Sequence, residues 1–267
     1  MTLKEFIPDK IKNFLKWTFW NEKRILKKNL SLKGKGKGKR AFILATGPSI
    51  NQEDLKILRG EDCYSISNFY LHEDIEIIKP KFHFFAPYHQ PLIFENYIEW
   101  LNNADKILPE TAKIFLAQSG YDLVKKNGLF KNRDVYYMFL SNTKKHKKIN
   151  LLKPVPSPQT GVHMILNLLI YMGYSEIYLL GCDANFLKFY KEQRENFYDK
   201  NKDLRKSASD TECWGNVYNA LKMELVTHNK YLNYKNCFKG KIINLSKESW
   251  LEMFDKMDLQ DVVKKNS

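Results

Sequence analysis

The residues best suited to chemistry are Thr46-Gly47-Pro48-Ser49, which follow the apolar run Ala41-Phe42-Ile43-Leu44-Ala45. A short apolar run of this kind is a buried strand, and the four residues after it turn sharply into a helix beginning near Ile50. Gly47 lets the backbone approach a ligand, Pro48 fixes the turn, and Ser49 can cap a helix whose first amides point outward. Such a turn suits an anion, a phosphate above all, although a glycine followed by a capping serine is often structural only. Three further segments bring polar groups to strand or helix ends. Ser65-Ile66-Ser67-Asn68 closes a second strand, with the Asn68 amide placed to read a base or a sugar hydroxyl. Pro158-Gln159-Thr160-Gly161 enters a long helix, and Leu180-Gly181-Cys182-Asp183 ends a strand in a glycine and a carboxylate, with Asn185 two residues on. No second carboxylate stands at a paired spacing to Asp183, so hydrogen bonding is its expected role and no metal is expected.

These residues have to be positioned by a sheet. Apolar, β-rich runs at 41–46, 62–67, 82–86, 112–117, 135–139, 176–180 and 241–244 alternate with helical patterns, the longest at 161–172 and 216–233. That alternation predicts an α/β, Rossmann-like, mostly parallel sheet with helices on both faces. Residues 187–213 break the rhythm with charged and amide side chains, and they follow a strand end where open α/β sheets bind ligands, so they are read as a lid.

The charge is segregated. Residues 1–40 hold 13 lysines and arginines against 3 acids, and the rest of the chain holds 31 against 27. A nucleic-acid enzyme needs its cations around the site, so nucleic acid is not an expected partner. Ile7, Ile11, Phe14 and Leu15 recur at helical spacing beside Trp17, Phe19 and Trp20. Residues 1–32 are therefore read as a basic amphipathic helix for an anionic membrane surface, or for packing on the body or on a second copy in a homo-oligomer. Lys33-Gly34-Lys35-Gly36-Lys37-Gly38-Lys39 reads as a flexible linker over 33–40, leaving 41–267 as the catalytic domain. No run reaches the length of a membrane span, no signal peptide is recognised, and the four cysteines form no metal or redox spacing. The expected location is the cytoplasm, peripherally associated with the inner face of the cell membrane.

Taken in order, Ala45-Thr46-Gly47-Pro48-Ser49, Asn68-Phe69-Tyr70, Gln159-Thr160-Gly161-Val162 and the run from Met172 through Leu180-Gly181-Cys182-Asp183 resemble the family 42 glycosyltransferases, the bacterial sialyltransferases. The resemblance implies a cytidine monophosphate sugar as donor, a nucleotide cradled by the first glycine turn with the segments at Thr160 and Gly181, and inverting, metal-independent transfer under a lid. Thr46 and Ala86 stand where that family has asparagines, and Glu212 stands at the place of its general-base histidine. Glu212 and His89, which follows Pro87-Tyr88 at the end of the third strand, are thus the candidate bases. His163 and His228 sit inside helical patterns and read as packing or surface residues. Of the lid aromatics Tyr190, Tyr198 and Trp214, Tyr190 is the candidate donor to a leaving phosphate.

The expectation is a glycosyltransferase that moves a sugar, such as a sialic acid or related nonulosonic acid, from a nucleotide-sugar donor to a surface-glycan or lipid-linked acceptor. It uses no cofactor beyond the donor. A weaker resemblance, in the Gly-Pro-Ser turn and the Leu-Gly-x-Asp strand end, is to the pterin diphosphokinase-like proteins. A nucleotide-binding protein without catalysis is the rival from another class.

Overall fold

The structure is a computed structural model, and it describes residues 8–142, 148–191, 196–206 and 216–264. Its strands are β1 (Arg40–Leu44), β2 (Cys63–Ile66), β3 (Phe82–Phe84), β4 (Lys113–Ala117), β5 (Val135–Met138), β6 (Leu140–Ser141), β7 (Val155–Pro156), β8 (Glu176–Leu180), β9 (Lys241–Asn244) and β10 (Asp255–Lys256). Eight form one sheet in the order β10-β9-β8-β1-β2-β3-β4-β5, with every neighbour parallel, and β6 pairs with β7 apart from it. All seven strands expected from the sequence are present. The additions, β6, β7 and β10, are two residues each, too short to leave a pattern.

Strand β1 shows why this sheet is buried on both faces. Ala41, Ile43 and Ala45 join one apolar cluster, while Phe42 and Leu44 join the other, as the two-residue period of a strand requires. The helices are α1 (Asp9–Phe19), α2 (Ile75–Ile78), α3 (Phe94–Ile107), α4 (Tyr121–Asn127), α5 (Gly161–Met172), α6 (Val217–Cys237) and α7 (Leu259–Lys264). Helix α5 is buried along nearly its whole length because it packs on the first cluster and is covered in turn by α6. The Tyr234 hydroxyl on α6 donates to Asn167 Oδ1 on α5 at 3.0 Å, pairing two polar groups inside that contact.

The N-terminal region departs from a single helix on a tether. Helix α1 stops at Phe19, and residues Asn21–Leu32 continue as a 3-10 helix across a kink at Trp20. Trp17 and Trp20 turn onto Phe139, with ring centroids 5.0 and 5.2 Å away. The 3-10 segment lies along β5, the edge of the sheet, with Leu26 and Leu32 buried. Asn29 donates from Nδ2 to the carbonyls of Tyr137 (2.8 Å) and Leu151 (3.0 Å), so it satisfies an edge carbonyl that would otherwise invite another strand. Residues 33–40, expected to be a flexible linker, form successive turns, and Gly36 donates to the Met172 carbonyl at 2.9 Å at the end of α5. The Gly/Lys alternation works there as turn chemistry, since Gly34 and Gly38 take positive φ of 74° and 75°. Ile11, Phe14, Leu15 and Phe19 of α1 stay exposed.

Asn29→Ala would leave both carbonyls without their buried donor, a loss of about 2 kcal/mol. Thermal denaturation should show the melting temperature falling by several degrees; an unchanged value would mean that residues 21–32 are not part of the folded body.

Candidate active site

The two neighbours of β1 leave it in opposite directions through the sequence: β2 to β5 on one side, β8 to β10 on the other. The crevice beyond the carboxyl ends of β1 and β8 is therefore the topological switch point, where the loops part and an open α/β sheet takes its ligand. Backbone pairing runs past the strands here, with Ala45 N–H on the Leu180 carbonyl and Gly47 N–H on the Gly181 carbonyl, both at 2.9 Å. A side chain at Gly47 would overlap the Asp183 carboxylate, and Gly181 holds a φ of 65°, so both glycines are required by the close approach.

A cleft of about 400 Å³ opens at this point. Of the residues singled out in the sequence, it is lined by Thr46, His89, Gln159, Thr160, Gly161, Gly181 and Asp183. Gly47, Pro48 and Ser49 are not among the lining residues. The anion that their turn attracts is internal: the Asp183 carboxylate accepts from Ser49 N–H at 3.2 Å and from the Ser49 hydroxyl. Ser49 is thus a clamp on Asp183 across the switch point. The open helix start belongs to α5, where Thr160 and His163 form a reciprocal cap; His163 Nδ1 accepts from Gln159 N–H (3.2 Å) and Thr160 N–H (3.1 Å).

Asn68 is fully buried, and its Oδ1 accepts from the Trp100 indole N–H. It anchors the ring over which the Arg205 guanidinium lies, 4.7 Å from the centroid, so it supports the site from below. Asn185 is buried at the start of the turn Phe186–Phe189, and neither it nor Tyr190 lines the cleft. Among the described residues of the lid, the hydroxyl that lines the cleft is that of Tyr198. Glu212 lies outside the described residues.

Residues 196–206 of the lid dock over the cleft. Phe197 N–H donates to the Thr46 carbonyl at 3.2 Å, and its ring packs against Phe69 and His72. Arg205 binds the Asp203 carboxylate with two donors at 2.9 and 2.7 Å and reaches the Tyr198 oxygen at 3.4 Å. Burial alone would raise the Asp203 carboxyl, but the Arg205 guanidinium outweighs it and holds it below its ordinary value. Burial pushes the Tyr198 hydroxyl up to about 12, which keeps it neutral, and its O–H donates to Asp203 Oδ2 at 3.2 Å. Among the described residues no acceptor is bonded to Arg205 Nη1, so the lid brings a fixed cation and a hydroxyl to the cleft.

Sequence reading passed over Arg205, along with Met223, Thr227 and Tyr231, which line the cleft from α6. The last three stand at i, i+4 and i+8, a spacing that does mark one helix face; nothing in one dimension marks Arg205. Two lining residues, Ser67 and Ala184, hold positive φ of 60° and 46°, a costly conformation for side chains with a Cβ. Ser67 is held there by His83, whose buried Nε2 lies 2.9 Å from the Ser67 carbonyl. A carbonyl only accepts, so Nε2 carries the proton and Nδ1 accepts from the Ser65 hydroxyl at 2.8 Å.

His89 is exposed at the cleft mouth, with Nδ1 3.1 Å from the Pro87 carbonyl. By the same reasoning Nδ1 carries the proton of that contact, and among the described residues Nε2 has no hydrogen-bond partner. Among the described residues, no group of three or more histidine, cysteine, aspartate or glutamate side chains is placed to hold a metal ion.

No protein-family model matches the sequence, and no curated protein matches it. Among solved structures, the chain is similar to the sialyltransferase CST-II in complex with CMP, at 18% identity over 81% of this chain and 86% of that one, with a TM-score of 0.47. It is similar to the monofunctional alpha-2,3-sialyltransferase Cst-I from Campylobacter jejuni, at 18% identity over 81% of this chain and 78% of that one, with a TM-score of 0.46. A CST-II complex with trisaccharide acceptor and CMP matches at 18% identity over 82% and 86%, with a TM-score of 0.42.

Burial lowers the His83 imidazole from its ordinary value near 6.5 to about 3. Between those values the unfolded chain binds the extra proton, so the fold loses stability as pH falls from 6.5 toward 3, by up to about 1.4 kcal/mol per pH unit. His83→Gln keeps a donor for Ser67 but does not titrate, so its melting temperature should fall less steeply than that of the wild type between pH 7 and 5. Equal slopes would remove His83 as the cause.

Proposed function

We propose that the cleft binds a nucleotide-activated sugar and that the protein is a glycosyltransferase, sialyltransferase-like, with a surface glycan or lipid-linked glycan as acceptor. The observation that carries this reading is the convergence at one switch-point crevice of a fixed cation, Arg205, a neutral phenol, Tyr198, and a histidine whose Nε2 has no hydrogen-bond partner among the described residues, His89. Transfer needs those three functions. An acceptor hydroxyl bonds to the anomeric carbon while the bond from that carbon to the phosphate oxygen breaks; a base takes the hydroxyl proton, and the phosphate leaves with the electron pair. Arg205 supplies the charge that the leaving phosphate requires, and Tyr198 supplies a hydrogen bond by turning its hydroxyl from Asp203 to the phosphate. His89 is the base in this reading, with Glu212 the alternative. The donor implied by the motif resemblance is a cytidine monophosphate sugar, transferred with inversion and without a metal.

A second part of the proposal concerns location. Trp17 and Trp20 are used in packing on Phe139, while Ile11, Phe14, Leu15 and Phe19 remain exposed on a helix that also carries Lys10, Lys12 and Lys16. That combination suits the headgroup region of an anionic membrane, which would hold the enzyme near a lipid-linked acceptor. No helix among the described residues is long and apolar enough to cross a membrane.

A ligand that binds only the folded state raises its melting temperature, so CMP should stabilise the protein with no magnesium added. A shift that appears only with ATP and magnesium would favour the diphosphokinase-like reading, and silence toward CMP, CDP, UDP, GDP and ATP would sink the nucleotide site. His89→Ala should lower transfer about 10²–10⁴-fold while the CMP shift persists; full turnover would pass the role to Glu212, tested by Glu212→Gln. Phe14→Glu combined with Phe19→Glu should abolish sedimentation with anionic vesicles and leave CMP binding intact. Unchanged sedimentation would end the membrane proposal.

A further inference from the structure

Two polar side chains in the wall of the cleft have hydrogen-bonding capacity that the protein does not use. Thr227, in the middle of α6, is fully buried, and its Oγ1 has no hydrogen-bond partner among the described residues. The usual recourse of a mid-helix threonine, donating to the carbonyl one turn back, is not taken. An unpaired buried hydroxyl destabilises a fold relative to a methyl group of the same shape. The second group is Gln159, whose Nε2 donates at 3.0 Å to the thioether of Met223, a weak acceptor. Both residues line the cleft, on the α5–α6 side. Met223 precedes Thr227 by one turn on the same helix face, so its side chain adjoins the Thr227 hydroxyl.

The rest of this wall is uncharged: Val162, Met223 and Tyr231. The charged lining residues Asp183 and Arg205 belong to the β8 end and the lid. A carbohydrate ring carries hydroxyls around its rim and needs many polar partners, whereas a nucleobase needs apolar faces and two or three hydrogen bonds along one edge. This wall offers the second composition.

We propose that Gln159 and Thr227 together read the polar edge of a nucleobase seated against Met223 and Val162, with the phosphate toward Arg205. The proposal rests on the nucleotide reading of the cleft. The ligand draws the Gln159 amide off the Met223 sulfur, Met223 moves aside, and the Thr227 hydroxyl, without a partner among the described residues, gains one. The carboxamide presents a donor and an acceptor, and the hydroxyl can act as either, which matches the adjacent acceptor and donor atoms of a pyrimidine edge.

The test uses the full chain, with melting temperatures of the free protein and calorimetric affinities for CMP, cytidine and ribose 5-phosphate, a probe without a base. Thr227→Val should raise the melting temperature of the free protein by about 2–4 °C. It should weaken CMP and cytidine about 10-fold and leave ribose 5-phosphate unchanged, with Thr227→Ser restoring the affinity. A fall in the melting temperature of the free variant would show that the hydroxyl already has a structural partner, and would overturn the proposal. So would unaltered CMP binding, or equal weakening of ribose 5-phosphate. If the wild type binds none of the three probes, the nucleotide reading falls and takes this subsite with it; if the wild type binds CMP and the variant binds it equally well, only the subsite falls.

Discussion

The Asp183 carboxylate, held by the N–H and hydroxyl of Ser49, joins two strand ends that are neighbours in the sheet and 134 residues apart in the chain. The cleft depends on that clamp. A parallel sheet whose chain departs on both sides of β1 leaves a gap between the diverging loops, and something must hold the two lips in register. Here it is an ion at a helix start, the arrangement that elsewhere receives a ligand phosphate. That position is filled from within the chain. The glycines at 47 and 181 follow from the same constraint, since the lips approach too closely for a side chain at either.

The support extends outward in two chains of contact. On the β2 side, His83 fixes Ser67 in a left-handed conformation, and Asn68 fixes Trp100, the platform for Arg205. On the β8 side, the Cys182 N–H donates to the Ser246 hydroxyl, the Ser249 hydroxyl donates to the Cys182 carbonyl, and Trp250 N–H donates to the Asp183 carbonyl. The same stretch receives His228 of α6, whose hydrogen bond to Glu224 raises its imidazole to about 9. It is therefore a cation at neutral pH that ties α6 to the lip. Strained backbone at Ser67 and Ala184 persists because these contacts over-determine it.

Much of this was legible in one dimension. Apolar runs of strand length separated by helical spacing mark the seven main strands, and the residues singled out at strand ends, in the loop after β3 and at the start of α5 include seven of the cleft's lining positions. Contacts between distant parts of the chain carry no local signal. The turn at Ser49 predicts an anion, and the anion found there is Asp183, from a distant part of the chain. Tyr190 was preferred over Tyr198 because a lid without apolar periodicity gives no hint of which residues fold inward; Phe197, wedged against Phe69 and His72, decides it. Residues 33–40 looked like a flexible tether because glycine and lysine bury no face, yet they needed only turns to dock at the end of α5.

The sequence by itself determined the class of fold, the order of its strands along the chain and the types of residue available at the sheet's carboxyl edge, because hydrophobic periodicity and turn residues act over a few positions. Which polar groups satisfy one another is settled by the folded arrangement. Asp183 closes on Ser49, Asn68 on Trp100 and Asp203 on Arg205, while the Thr227 hydroxyl has no partner among the described residues. The physical reason is that a buried hydrogen bond or ion pair is made by proximity in space, and the partners that settle each group's role arrive from strands and helices far removed along the chain.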